Sequence, residues 1–375
     1  MHKTNVPQWV LHALGVLMTL AIGLSIGNAQ DVAKLGLGYA ASGPSAFLSG
    51  QYRKGYEAAI DVANRDGPVK FELVARDHRG LPSEAVAVAK RLIEQDGVKT
   101  IDMVLPSTVV FAVMNSSQQT KTPLIAGYAF APSIVEQGNP YVFRTSTNSN
   151  LVSMAMAKVI HAVPGNNAIA LLAPNDDYGR GVIEFTEKAL ATIGSPKVVY
   201  KDFYERDQTD FSAILLKMKS LNPDSLYIDV RYPASVTVLK QMAEIGLKKP
   251  VFSSVNFYNE KLAAEVGDLL EGTHVSADWG PVLTDEASQA FVEAYKRIYG
   301  TVPDAPAAYG WTAAMTAIKA IQSVGVKANK EDIRAALTKL DFVGPTGRIH
   351  FDSRGDANTA PRIMVFRNKA FRLVN

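Results

Sequence analysis

Cysteine is absent from all 375 residues, which excludes disulfides, thiolate metal sites and cysteine nucleophiles. It also excludes a bacterial lipoprotein, which needs a cysteine at its processed N-terminus. An excess of one charge is lacking too. The 39 Lys and Arg are interspersed with 36 Asp and Glu, a formal net charge of +3, so no basic stripe forms and nucleic acid is not an expected partner. No G-x-S-x-G elbow, H-E-x-x-H pair or Walker loop occurs. The six histidines are scattered, with no pair at metal spacing, and His78 in Asp77-His78-Arg79-Gly80 reads as a surface turn. The carboxylates Asp176 and Asp177 fall in a loop with nothing to mark an acid/base couple. Gly36-Leu37-Gly38-Tyr39-Ala40-Ala41 loosely fits a dinucleotide loop, but Ser42-Gly43-Pro44 breaks the chain where a helix must begin, and no acid is expected at the end of the second strand. The expectation is a protein that is not an enzyme and needs neither cofactor nor metal.

One long apolar run is present, and it lies at the N-terminus. His2 and Lys3 precede Val10 to Ile26, and Gly27-Asn28-Ala29 follows as a small-x-small signal. This reads as a secretory signal peptide cleaved after Ala29, or as a single membrane anchor. His12 inside the run and the small residues at the peptidase position favour the signal peptide. The mature protein is then expected free in the periplasm.

Beyond it, strand-like and helix-like runs alternate. Strands are expected at Val32 to Tyr39, Val69 to Ala75, Ile101 to Leu105, Leu124 to Ala126 and Val142 to Arg144. Helices fall between them at Gly50 to Asn64, from a cap at Ser83 to Gln95, and on to Gln119. The pattern then restarts, with strands from Ala168, Lys197, Ser225, Val251 and Thr273, each separated by a helical segment. Three late helices (Glu286 to Tyr299, Ala307 to Gln322, Lys330 to Leu340) precede short strands at Arg348 to Phe351 and Arg362 to Phe366. Alternating units imply parallel sheets covered by helices on both faces. Two series imply an α/β protein of two Rossmann-like lobes, joined by a hinge of several strands. The expected division is 1–29 signal peptide, 30–147 plus about 278–358 in lobe 1, and 148–277 plus about 359–375 in lobe 2. With no Gly/Ser linker, such lobes form a hinged clam with a cleft.

The stretch Leu105-Pro106-Ser107-Thr108 ends a buried strand and opens a helix. Ser107 or Thr108 reads as a helix N-cap. The free amides of the same turn suit a carboxylate, and strand ends of open α/β sheets are where ligands collect. Aromatic residues recur in such connections, at Phe47, Tyr128, Phe130, Tyr178, Tyr232, Phe257 and Trp279, with Arg231 and Asn256 beside them. One aromatic in a loop is ordinary packing. Seven in connections that can face one cleft point to a binding cavity.

Several blocks then resemble one family. They are Lys34-Leu35-Gly36 through Ala41-Ser42-Gly43-Pro44, Tyr141-Val142-Phe143-Arg144-Thr145, Asn175-Asp176-Asp177-Tyr178-Gly179 and Gly344-Pro345-Thr346-Gly347. The chain from residue 30 onward resembles the type I periplasmic solute-binding proteins of branched-chain amino acid ABC importers. The resemblance implies a monomeric receptor that closes on a small carboxylate and is recognised by an inner-membrane ABC permease. It also implies that Ser107 takes the ligand carboxylate together with the Tyr128/Phe130 edge, where Phe130 replaces the family's hydroxyl. Tyr178 matches the family's tyrosine before the glycine. The acid that holds a ligand ammonium is matched by uncharged Asn256, which Asp229 could replace. Arg231 could instead grip a carboxylate with its fork. The implied ligand is an amino acid or related small carboxylate. An aromatic or other organic acid is the alternative, as is a sensor reporting to a signalling partner.

Overall fold

Long apolar runs become strands buried on both faces, and the two sheets they build carry the cleft. The computed structural model describes residues 32–374, so the expected signal peptide and its cleavage site lie outside the described residues. The first series is β1 (Val32–Tyr39), α1 (Ala46–Asp66), β2 (Lys70–Asp77), α2 (Pro82–Glu94), β3 (Thr100–Met103), α3 (Ser107–Gln119), β4 (Leu124–Ala126), α4 (Ser133–Glu136) and β5 (Val142–Arg144). The second is α5 (Ser149–His161), β6 (Ala168–Pro174), α6 (Asp177–Ile193), β7 (Lys197–Tyr204), α7 (Ser212–Leu221), β8 (Ser225–Ile228), α8 (Ala234–Glu244), β9 (Val251–Ser253), α9 (Glu260–Val266) and β10 (His274–Ala277). Then come α10 (Glu286–Tyr299), α11 (Ala305–Val324), α12 (Lys330–Leu337), β11 (Asp341–Gly344), β12 (Gly347–His350), β13 (Arg362–Arg367) and β14 (Ala370–Leu373).

The first sheet is parallel, in the order β2-β1-β3-β4-β5. The second runs β14-β13-β10-β9-β8-β6-β7, and its last two strands in sequence, β13 and β14, are antiparallel. The tail thus returns to the second lobe, while α11 packs on α1 of the first. The helix pair is close because glycines face backbone: a Cβ on Gly55 would meet the Ala307 carbonyl, and one on Gly310 the Tyr52 carbonyl. Among the described residues no helix is long and apolar enough to cross a membrane.

The lobes are linked by three crossovers, and buried charge knits them. Arg144, at the end of β5, makes a two-pronged ion pair with Asp356, each side chain only 1% exposed. Arg144 Nη1 also donates to the Ala131 carbonyl at 2.7 Å, and Asn148 Nδ2 donates to Asp356 at 3.3 Å. The Thr147 amide donates to Asp278 Oδ2 at 3.2 Å, and Arg362 donates to the Asp278 carbonyl.

Several local expectations differ from the structure. Leu81, not Ser83, occupies the N-cap of α2, because Pro82 fits the first turn where a missing N–H costs nothing. β3 stops at Met103, and Pro106 caps α3, so Ser107 and Thr108 are helical residues rather than caps. β2 extends to Asp77 and does end on an acid, whose Oδ1 accepts from the amides of Ala41 and Arg79. His78 is fully buried beneath that turn, and its Nδ1 accepts from the Gly80 amide at 2.9 Å.

Candidate functional site

The floor of the second lobe is made where β6, β8 and β9 end. Asp176 caps α6 by accepting from the Gly179 amide at 2.9 Å, and Gly179 is required because a Cβ there would meet the Pro174 carbonyl. This places Tyr178 over Asp229. The Tyr178 hydroxyl donates to Asp229 Oδ2 at 2.8 Å, while Ser254 Oγ (2.8 Å) and Asn256 Nδ2 (2.6 Å) donate to Oδ1. Asp229 is fully buried. Burial pushes its pKa up, and the bonds from Asn256, Ser254 and Tyr178 pull against that shift. Arg231 stacks on the Tyr178 ring, 5.2 Å from its centroid, and pairs with Asp176 Oδ2 at 2.8 Å. Burial opposes the Arg231 charge, but Asp176 beside it outweighs this and holds the guanidinium above its ordinary value.

The first lobe contributes rings and a helix end. Tyr52, Tyr128, Phe130 and Tyr309 form a continuous ring cluster, with Phe130 edge-on to Tyr128, and Phe130 reaches Tyr178 of the other lobe at 6.3 Å between centroids. Phe47 meets Tyr232 across the rim at 5.5 Å, with the Lys261 ammonium over both rings. Pro106 and Thr108 bring the start of α3 to the same wall, where the Ser107 and Thr108 amides precede the first bond of the turn, from the Val109 amide to the Pro106 carbonyl at 3.0 Å. Between the lobes lies an outer cavity of about 490 Å³, bounded by Ser45 and Thr108 on one side and by Asn175, Arg206, Arg231 and Tyr232 on the other. That volume suits a small molecule. An inner slot of about 10 Å³ lies between Phe130, Tyr178, Ser254, Asp278 and Tyr309, room for one water.

Of the residues expected at the site, Thr108, Arg231 and Tyr232 line the outer cavity, and Phe130 and Tyr178 line the inner slot. Asn256 is buried and bonds Asp229, with the Tyr178 hydroxyl 3.5 Å away. Tyr128 is buried in the ring cluster behind Phe130, and Phe47 sits at the rim. Ser107 is buried and lines neither cavity. It lies on the first turn of α3 rather than at its cap, and Thr108 reaches the wall in its place. Trp279 is not at the cleft. Its indole is fully buried, donates to Ser288 Oγ at 3.0 Å and packs edge-on to Phe291 of α10. Phe257 is likewise buried in the core. Asp278, Tyr309 and Arg206 line the cavities without having been expected. Asp278 sits at a strand end just as Asp229 does, and that position was its available signal.

A family profile described as periplasmic binding protein matches residues 32–370. A leucine-, isoleucine-, valine-, threonine- and alanine-binding protein of Pseudomonas aeruginosa is 28% identical, with 92% of each chain covered. A leucine binding protein from Thermotoga maritima superposes with a TM-score of 0.84 at 24% identity, covering 92% of this chain and 98% of that one. A solute binding protein from Rhodopseudomonas palustris, solved with 3,4-dihydroxybenzoic acid, superposes with a TM-score of 0.81 at 24% identity over 90% and 93% of the two chains. Two parallel-sheet lobes, a cleft at their strand ends and a profile match along nearly the whole described chain agree: the protein belongs to the periplasmic binding proteins, the non-catalytic solute-binding components of ABC transporters.

Proposed function

We propose that this protein is the periplasmic receptor for an amino acid or related small carboxylate, which it captures by hinge closure and delivers to an inner-membrane ABC permease. The observation that carries this reading is the pairing of opposite walls in the outer cavity. One wall is the start of α3 at Thr108, and the other carries Arg206 and Arg231, the latter shared with Asp176. Both favour an anion. The relative from Pseudomonas aeruginosa is named for binding five small aliphatic and hydroxyl amino acids, which supports the amino-acid class. Ligand contacts made only in the closed state would drive closure.

A second reading, an aromatic or other organic acid, has its own support. Asn256 is uncharged, and Asp229 is already bonded by three neutral donors, so the floor offers no free acid to an ammonium. A thermal-shift screen of amino acids, aromatic acids, dicarboxylates and amides tests both, because tight binding raises the melting temperature by mass action. A shift with carboxylates and none with the matching amides is expected. The carboxylate assignment fails if amides shift the melting temperature equally.

A further inference from the structure

The first lobe has a second crevice, at the end of its sheet away from the cleft. The cleft lies where strands end, whereas this crevice lies where β3 and β4 begin. Its volume is about 410 Å³, and Lys99, Lys121 and Lys330 stand around it. Two of these ammoniums are tied in place by crossed hydrogen bonds. Lys99, just before β3, donates to the Ala328 carbonyl ahead of α12 at 2.9 Å. Lys330, the first residue of α12, donates back to Thr122 Oγ1 ahead of β4 at 2.8 Å. Both acceptors are neutral, and an ammonium has three donors to offer. The acid among the lining residues, Glu331, is occupied by other groups: its Oε2 accepts from the Tyr141 hydroxyl at 2.8 Å and its Oε1 from Arg334. The helix end itself is closed, because Asn329 Oδ1 accepts the Glu331 and Asp332 amides. Lys99 and Lys330 are both half-buried. Burial, and then Lys99, push the Lys330 pKa down, a cost that a neighbouring anion relieves.

Lysines held as point charges, with no guanidinium fork among the lining residues, suit a tetrahedral oxyanion that accepts from several directions. The volume exceeds what a bare phosphate fills and leaves room for an organic group beside it. We propose that this crevice binds the phosphoryl group of a phosphate ester, with Lys99 and Lys330 as its counter-charges and exposed Lys121 as a third. Two sources share this chemistry, a dissolved phosphate ester and the head group of an anionic phospholipid. The site stands apart from the cleft and does not depend on what the cleft carries.

The test titrates the protein calorimetrically with glycerol 3-phosphate and with acetate at constant ionic strength, and cosediments it with vesicles of phosphatidylglycerol or phosphatidylcholine. One of the two phosphate esters is expected to bind at least tenfold more tightly than its control, and which one does so identifies the source. Lys330→Gln, which keeps a donor for Thr122, and Lys99→Gln should each weaken that binding about tenfold, the worth of one charge-assisted bond. Lys217→Gln removes the same charge from the exposed face of α7 in the second lobe and should change nothing. A wild type that binds neither ester, or binds acetate and phosphatidylcholine equally well, overturns the proposal, and this comparison needs no variant to fold. A Lys330→Gln protein that melts as the wild type does and keeps full affinity also overturns it, placing the ester elsewhere. Equal losses in Lys217→Gln and Lys330→Gln overturn it too, because net charge alone then accounts for the binding.

Discussion

Removing Arg206 should weaken ligand binding by loosening the closed state while leaving each lobe intact. Arg206, on the connection after β7 in the second lobe, donates from Nη1 to the Gly80 carbonyl of the first lobe at 3.0 Å, and its Nη2 lies 3.4 Å from the Arg79 carbonyl. The receiving turn is held in shape independently of Arg206. Arg79 and Gly80 both take positive φ, 54° and 68°, and Asp77 and His78 bond their amides. The carbonyls therefore stay presented when the lobes part, and the bonds to Arg206 exist only on closure. A hydrogen bond to a charged group contributes about 1.5–3 kcal/mol. The longer contact counts for little at its length, and Arg206 is exposed, so water and salt reduce the remainder. About 1 kcal/mol is left, or roughly a fivefold shift between closed and open forms. Arg206→Ala should thus raise Kd about fivefold for the tightest ligand of the thermal screen, with the change in koff because the bond forms after encounter. Titration calorimetry and stopped-flow dissociation measure the two quantities. Unchanged koff, or a weaker affinity arising wholly from slower association, would refute the latch.

Other substitutions probe the frame and the chemistry. Arg144→Met should cost about 3–5 kcal/mol of stability in urea unfolding, because it leaves Asp356 buried without its cation. Gly310→Ala should destabilise by about 1–3 kcal/mol despite the better helix former, since the methyl meets the Tyr52 carbonyl in a packed helix pair, and a raised melting temperature would contradict that geometry. Tyr178→Phe strips Asp229 Oδ2 of its donor and should cost about 1–3 kcal/mol, visible as a lower melting temperature of the unliganded protein.

The alternation of elements was legible because its physical cause is local. β6 and β8 are buried on both faces and read as unbroken apolar runs, while the helices between them bury one stripe. The hairpin of β11 and β12 was only half legible. Val343 is 65% exposed and β11 carries no apolar run, so its pairing rests on the Gly344–Gly347 turn and not on burial. β14 was missed for the same reason, as an edge strand in which every residue but Phe371 is exposed. At the candidate site, strand-end position pointed to Phe130, Tyr178, Arg231 and Tyr232, which line the two cavities. It failed at Trp279 because neighbouring residues of an extended segment face opposite ways, and only the register of β10 decides which of Asp278 and Trp279 meets the slot. His78 misled differently: Asp77-His78-Arg79-Gly80 is indeed a turn, but it folds its imidazole under itself against Gly38. Arg206 lies beyond a strand end in a polar loop, and nothing local distinguishes a latch from a solvated charge.

The position of Asp278 joins the site to the hinge. Thr147 stands on the crossover from β5 to α5, Asp278 on the one leaving β10, and Arg362 on the one entering β13. One short run of hydrogen bonds therefore touches all three crossovers about which the lobes must turn. The same Thr147 and Asp278 line the inner slot. The contacts already present at the rim, Phe47 with Tyr232 and Arg206 with Gly80, are the same for every ligand and favour closure without discrimination. Selectivity must come from groups that only the right ligand satisfies, and the unpartnered hydroxyls of Thr147 and Tyr227 along the inner slot meet that requirement.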